Sequence, residues 1–356
     1  MIQQSPTVAL VLETCNLRGG NAEKTQRVPQ SLIALFQLFK EQTFSLSHLN
    51  EFVLTHDGLD TNSQDQLSQA LGRPIRFVEI SPTAGYYDAK NSGFDATTAD
   101  IVVFADADCL PKSTWLEKLL KPFSNPDVQV TAGRTTYKES VLGSAATSID
   151  FMYFPSSLGP DTTRNFYANN VAFRRAVFAQ FRYQPAPGIY RGHCQRLGIA
   201  LHKANIAVHF VPEAHTVHRF PDTTGELLHL RLLRGADTVE MAPALANAVL
   251  PKPLQWVGRT GPIAPLTVLG ARLFFSERAL GHQDMAPLSR SQTLLARAAV
   301  VGITALDAAG ALSKSVFKND FGVHNGALTR NVLGYHANAN GYFFKRHVNN
   351  RQTWQL

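Results

Sequence analysis

Short apolar runs alternate with longer stretches of helical spacing through the first part of the chain. Val8-Ala-Leu-Val-Leu12 is continuously apolar, as a strand covered on both faces should be. Leu32, Ile33, Leu35, Phe36 and Phe39 then recur at helical spacing, and Pro29 suits the start of that helix. Further strands are expected at Phe52–Leu54, Ile75–Ile80, Ile101–Phe104 and Val128–Ala132. Helices are expected through Ala89–Thr98 and around Trp115–Leu120. This alternation predicts an α/β fold with a mostly parallel sheet and helices on both faces. Beyond Pro251 the pattern changes to Ala-, Leu- and Gly-rich helical segments interrupted by prolines, then to a polar and aromatic stretch, Phe321–Leu356. Two units are therefore expected, 1–250 and a helical extension, 251–356.

Composition sharpens that division. The 356 residues carry a formal charge of +7, yet 251–356 alone holds 12 Lys/Arg against four Asp/Glu, which leaves 1–250 at −1. At 44% hydrophobic residues the chain can bury a large core, and disorder is excluded. Cys15, Cys109 and Cys194 are odd in number and far apart, which favours a reducing compartment and a cytoplasmic location over a disulfide framework. Met1–Pro6 is polar and Val8–Leu12 too short for a leader's apolar region. No continuous apolar stretch reaches the roughly 18 residues that span a bilayer. The basic, apolar-rich extension suits either the inner surface of a membrane or a helical cap on the first unit or on a second copy. No nucleic-acid motif accompanies its charge.

The sharpest chemical signal is Asp106-Ala-Asp108, directly after the apolar run Ile101–Phe104. Ligands of open α/β sheets bind beyond the carboxyl ends of strands, and two carboxylates at i and i+2 there can grip one divalent ion. The same pair could equally cap the helix that follows.

The order of further motifs separates these readings. Val8–Leu12 leads into Glu13-Thr14-Cys15-Asn16, and Phe52–Thr55 into His56-Asp57-Gly58. Tyr87-Asp-Ala-Lys90-Asn91-Ser-Gly93, Asp106-Ala-Asp108, Tyr167-Ala-Asn169-Asn170 and Val211-Pro-Glu-Ala-His-Thr-Val-His218 follow in turn. In this order residues 7–220 resemble a family 2 glycosyltransferase of the GT-A fold. The resemblance implies a nucleoside-diphosphate sugar held by Glu13, Thr14, Asn16, Asp57, Lys90 and Asp106. It implies a divalent ion, Mn²⁺ or Mg²⁺, on Asp106, Asp108 and His218. It places Asn169, Asn170 and Arg191 toward a glycan or lipid-linked acceptor. Leu228-His-Leu-Arg231-Leu-Leu-Arg234 lacks the Gln and Trp of processive relatives, so a non-processive enzyme is expected.

One departure stands out. Where the family carries a Gly-Glu-Asp motif with the general base, this chain has Gly192-His193-Cys194, and Tyr183–Asn205 contains no Asp or Glu. His193 could itself be the base. Asp150, Asp161, Asp222 or Glu226 could replace it, or no inverting base exists. Cys194 as a nucleophile is a further option. The rival functions are a non-catalytic nucleotide-sugar-binding scaffold and a sugar-nucleotide pyrophosphorylase. For the latter, Arg18-Gly19-Gly20 offers a faint glycine-rich loop.

Overall fold

The computed structural model describes residues 6–14, 22–81, 83–186, 188–221, 223–250, 252–261, 263–280, 288–318, 323–324 and 327–328. Cys15, Asn16, Arg18–Gly20, Asp222 and most of Phe321–Leu356 lie outside them.

The first strands form where apolar runs predict them: β1 (Val8–Glu13), β2 (Glu51–His56), β3 (Arg76–Glu79) and β4 (Ile101–Asp106). They pair in parallel in the order β3-β2-β1-β4. Pleating sends alternate residues of β1 to opposite faces. Val8, Leu10 and Leu12 pack beneath α1 (Ala22–Lys40) and α2 (Thr61–Leu71). Ala9 and Val11 face α3 (Tyr86–Asp95). The first helix begins ahead of Pro29, which lies within it.

The other half of the sheet departs from the parallel expectation. After β5 (Cys109–Pro111), α4 (Trp115–Leu120), β6 (Val130–Thr136), α5 (Val141–Asp150) and β7 (Thr162–Thr163), strand β8 (Asn170–Arg174) inserts antiparallel between β4 and β6. β9 (Val208–His218), reached through α6 (Arg175–Phe181) and α7 (His193–Lys203), runs parallel to β6 and antiparallel to β5 and β7. The sheet is therefore mixed, all-parallel on one side only. Between Gly133 and Arg134 the register with β9 slips, so that Pro212, Glu213 and Ala214 of β9 have no partner on β6 and β9 bulges there. A side chain at Gly133 would strike the Ala214 carbonyl at 2.1 Å.

Three long helices complete the molecule: α8 (Thr224–Val249), α9 (Ile263–Leu280) and α10 (Arg290–Phe317). Thr223 and Ser289 cap α8 and α10 by accepting backbone N–H groups with their side chains. α10 is long and apolar enough to cross a bilayer by length and composition, unlike the continuous runs read from the sequence, and 39% of its apolar window is buried against the protein. Its inner face carries Asp307, fully buried against α8. The helices cross where side chains are absent. A Cβ on Gly235 would meet the Asp307 carbonyl at 1.9 Å, and one on Gly310 the Leu232 carbonyl at 2.1 Å.

A buried ion cluster fixes this packing. Arg231 of α8 donates to both oxygens of Asp150 at 2.8 and 2.9 Å, and its Nε bonds Asp307 at 2.8 Å. Arg234 pairs with Asp150 as well, and Arg272 approaches Asp307 at 3.5 Å. Burial alone would raise the Asp150 pKa, but Arg231, Arg234 and Arg272 together hold it below the usual carboxylate range. Replacing Arg231→Met removes the closest partner of two buried carboxylates and should cost about 3–5 kcal/mol of unfolding free energy in a urea titration. Because Asp150 has a lower pKa folded than unfolded, its contribution is full above the ordinary value of 3.8. It should be lost as pH falls below that value, and an Asp150→Asn protein should lack this part of the acid transition.

Candidate functional site

The carboxyl ends of β1, β2 and β4 come into line, with Glu13 opposite both Thr55 and Asp106. Glu13 is buried, and Thr14 donates its hydroxyl to the Thr55 carbonyl at 2.6 Å. Asp57 is half-buried at the end of β2, in a turn stitched by His56, whose Nδ1 accepts from Gly58 and Leu59. None of Glu13, Thr14 and Asp57 lines the cavity described below.

The segment Lys90-Asn91-Ser-Gly93 acts from within the protein. Lys90 has no solvent exposure, and its ammonium bonds Asp106 Oδ1 at 2.6 Å and the Ala105 carbonyl at 3.2 Å. Asn91 holds the Tyr183 backbone at 2.8 Å. A Cβ on Gly93 would strike Val11 at 2.4 Å, so glycine is what lets α3 press on β1. The ammonium expected at the donor diphosphate is thus turned onto Asp106. With Tyr86 donating to Oδ2 at 2.6 Å, both oxygens of that buried carboxylate carry a donor.

Asp108 follows in the turn before β5, and β5 pairs with β9 so that Cys109 faces His218. His218 Nδ1 lies 2.7 Å from the Arg219 carbonyl, which leaves Nε2 as the ligating nitrogen, 3.8 Å from Asp108 Oδ2. The Arg219 amide donates to the Asp108 carbonyl at 2.9 Å, and the Arg219 side chain is paired with Glu226 of α8. One residue thereby braces both Asp108 and His218. Ligand atoms of Asp106, Asp108, Cys109 and His218 all lie within 4.8 Å of one another. The oxygens and imidazole suit a divalent ion. Burial and the adjacent carboxylates hold the Cys109 thiol well above its ordinary pKa, and it donates to Asp108 at 3.7 Å. As it stands, Cys109 orients a ligand. Its place was not legible in the sequence, because only the β5–β9 register brings it to His218.

Asp106, Asp108 and His218 open on a cavity of about 300 Å³. Tyr86, Asn169, Arg191 and Arg234 line it near the carboxylates, while Met241 and Leu245 of α8 with Val268 and Phe275 of α9 give it an apolar wall. Arg191 stacks over the Tyr86 ring at 4.2 Å. Asn169 accepts from Thr135 at 3.0 Å. Asn170, expected beside it toward an acceptor, is instead fully buried. It accepts from Trp115 and donates to the Arg134 and Ala214 carbonyls at the β9 bulge, a structural role that leaves it no access to the cavity.

His193 lies away from the cavity. Its imidazole is buried and stacked on Tyr87 at 4.0 Å, and it is not among the residues lining the cavity. Burial, with Arg196 and Arg191 nearby, lowers its pKa to about 4, so it is a weak base near neutrality. Cys194 lines the cavity, but burial pushes its thiol up to about 11. Among the carboxylates considered as replacements, Asp150 and Glu226 are engaged by arginines, and Asp161 lies in an exposed turn.

Residues 28–186 match the model of glycosyl transferase family 2. The chain is 32% identical over 98 residues to Glycosyltransferase AglE of Haloferax volcanii, covering 26% of this chain and 32% of that protein. It is 46% identical over 46 residues to Pre-mycofactocin glycosyltransferase of Mycobacterium tuberculosis, covering 13% of this chain and 10% of that one. The chain therefore spans a third or less of the length of these relatives. Its fold is similar to the solved structure of mannosyltransferase PcManGT from Pyrobaculum calidifontis in complex with GDP-Man and Mn²⁺, with a TM-score of 0.56 at 15% identity over 89% of both chains. At that identity the likeness is one of fold.

Replacing Lys90→Met should leave Asp106 without its counter-charge and weaken Mn²⁺ binding about 10–100-fold, measured by calorimetry or Mn²⁺ paramagnetic resonance. Asp108→Ala should abolish that binding, whereas Cys109→Ser should retain it.

Proposed function

Taking residues 28–186 as a family 2 glycosyltransferase segment in a GT-A fold, we propose that the chain transfers a sugar from a nucleoside-diphosphate donor to a lipid-linked acceptor, non-processively. The observation that carries this reading is one cavity with two unlike kinds of lining. The Asp106, Asp108 and His218 set and apolar residues of α8 and α9 border the same space.

A divalent ion bound there, Mn²⁺ or Mg²⁺, would supply positive charge to the diphosphate leaving group. The residues around it are preorganised for that task. Lys90 and Tyr86 hold Asp106 in place, Arg219 braces Asp108 and His218, and Arg191 adds a cation at the cavity. The bound GDP-Man and Mn²⁺ of the Pyrobaculum enzyme are in keeping with such a donor.

The acceptor reading rests on the exposed apolar residues beside the cavity. Phe275 lines it and is also exposed, beside Phe274, Leu266 and Ile263 on α9 and Trp256 on the preceding 3₁₀ segment Lys252–Arg259. Ile263 and Trp256 are each 63% exposed. Lys252, Arg259 and Arg278 accompany these apolar residues. An apolar patch edged by cations suits an anionic membrane surface, which would place the protein peripherally on the inner face of the cytoplasmic membrane and deliver a lipid-borne acceptor to the apolar wall.

Calorimetry with GDP and UDP should show binding that depends on Mn²⁺ in the wild type and loses that dependence in Asp108→Ala. Release of GDP from GDP-mannose or of UDP from UDP-glucose should mark the enzyme. Absence of both would leave a scaffold. Co-sedimentation with phosphatidylglycerol vesicles should fall sharply in a Trp256→Ser/Ile263→Ser protein and with added salt.

A further inference from the structure

Four carboxylates line the cavity among the described residues: Asp106, Asp108, Asp150 and Asp237. Three are already engaged. Asp106 holds Lys90 and Tyr86, Asp108 belongs with His218, and Asp150 is bonded through both oxygens to Arg231. An anion so stabilised by arginines has little affinity for a proton. Asp237 is different.

Asp237 sits on α8, yet its carboxylate reaches the segment that precedes α7. Oδ1 accepts the Tyr190 amide and Oδ2 the Arg191 amide, both at 2.7 Å. These are the residues immediately before Gly192-His193-Cys194, where a family 2 enzyme would have its Glu-Asp pair. The approach of helix and loop is built in. Gly192 has φ of 146°, and a Cβ there would meet Met241 Sδ at 3.1 Å, one turn beyond Asp237. Each carboxylate oxygen has two lone-pair directions, so the two amide bonds fix its orientation and leave a second direction for a substrate proton.

Resting on the transferase reading above, we propose that Asp237 is the general base, supplied from α8 in place of the missing carboxylate at the start of α7. As an acceptor hydroxyl oxygen forms its bond to the anomeric carbon, its proton passes to the Asp237 carboxylate. The bond from that carbon to the nucleoside diphosphate breaks, and its electron pair leaves with the diphosphate.

The electrostatics of the place agree. Burial raises Asp237 to about 7, against the opposing pull of the two amides and of Arg191 and Arg234. On the other side of the loop, Lys314 of α10 lies 3.9 Å from Glu240 and 3.4 Å from the Gly188 carbonyl. A base that titrates near neutrality is matched to its task.

The test compares wild type with Asp237→Asn and Asp237→Glu. It uses GDP-mannose and UDP-glucose with Mn²⁺, octyl glucoside as hydroxyl acceptor, and water as the acceptor in its absence. Nucleoside diphosphate release is followed across about pH 5–9, and GDP and UDP affinities are measured alongside. Wild-type turnover should fall on the acid side with a midpoint near 7, because only the ionised carboxylate accepts a proton. Asp237→Asn should lower turnover roughly 10²–10⁴-fold, remove the acid limb and leave nucleotide affinity unchanged. Asp237→Glu, which keeps a carboxylate, should retain the limb with reduced turnover. Persistence of the limb or of near-wild-type turnover in Asp237→Asn would overturn the base while the transferase reading stands. Loss of nucleotide binding together with turnover in both variants would show that Asp237 only holds the loop, and would also overturn the base. A wild type that neither binds nor cleaves either donor would end both readings.

Discussion

Arg231 lies between two carboxylates with almost no access to water, and the second half of the molecule is organised about it. Asp150 comes from the end of α5, Asp307 from the middle of α10, and Arg231 from α8. A guanidinium in such a place is tolerated because its fork-shaped donors match both partners, and each partner would be costly to bury alone. The cluster sets the distance between α8 and α10 at a crossing where Gly235 and Gly310 bring backbones into contact. Arg234 and Arg272 belong to the cluster and also line the cavity, so its wall is held by the same charges that hold the fold.

The cavity accordingly has two origins. The strand ends and the turn before β5 supply the carboxylates and His218, braced by short buried contacts along β4, β5 and β9. The helices beyond β9 supply the apolar lining, which has no counterpart in the alternating strand–helix pattern. Charged and apolar linings require opposite solvation. Their separation onto two parts of the chain lets each be built without compromising the other.

Much of this was legible in the sequence. β1 and β4 announce themselves as continuous apolar runs because both faces are covered, and Asp106 and Asp108 stand out because they follow such a run directly. The antiparallel insertion of β8 was not legible, since strand direction depends on where α5 delivers the chain. The residues around Lys90 were recognisable as a pattern, but a spacing does not say whether an ammonium faces a ligand or a neighbouring carboxylate. Cys109 depends on a cross-strand register. Asp237 sits in a helix among Arg, Thr and Glu and reads as part of a solvated face until the loop before α7 is docked upon it. His193 misled because its neighbours in sequence pointed to catalysis while its ring packs in the core.

Helix α8 carries more than its packing. Glu226, which anchors Arg219 behind Asp108 and His218, and Asp237, which meets the loop before α7, are eleven residues apart, close to three turns and thus on one stripe. At 1.5 Å per residue that separation is about 16 Å. The distance between these two anchoring carboxylates is therefore set by the pitch of a single helix. A shift of that helix along its axis would carry both anchors the same way, pulling on Arg219 and on the loop before α7 while the strand ends stay where the sheet holds them.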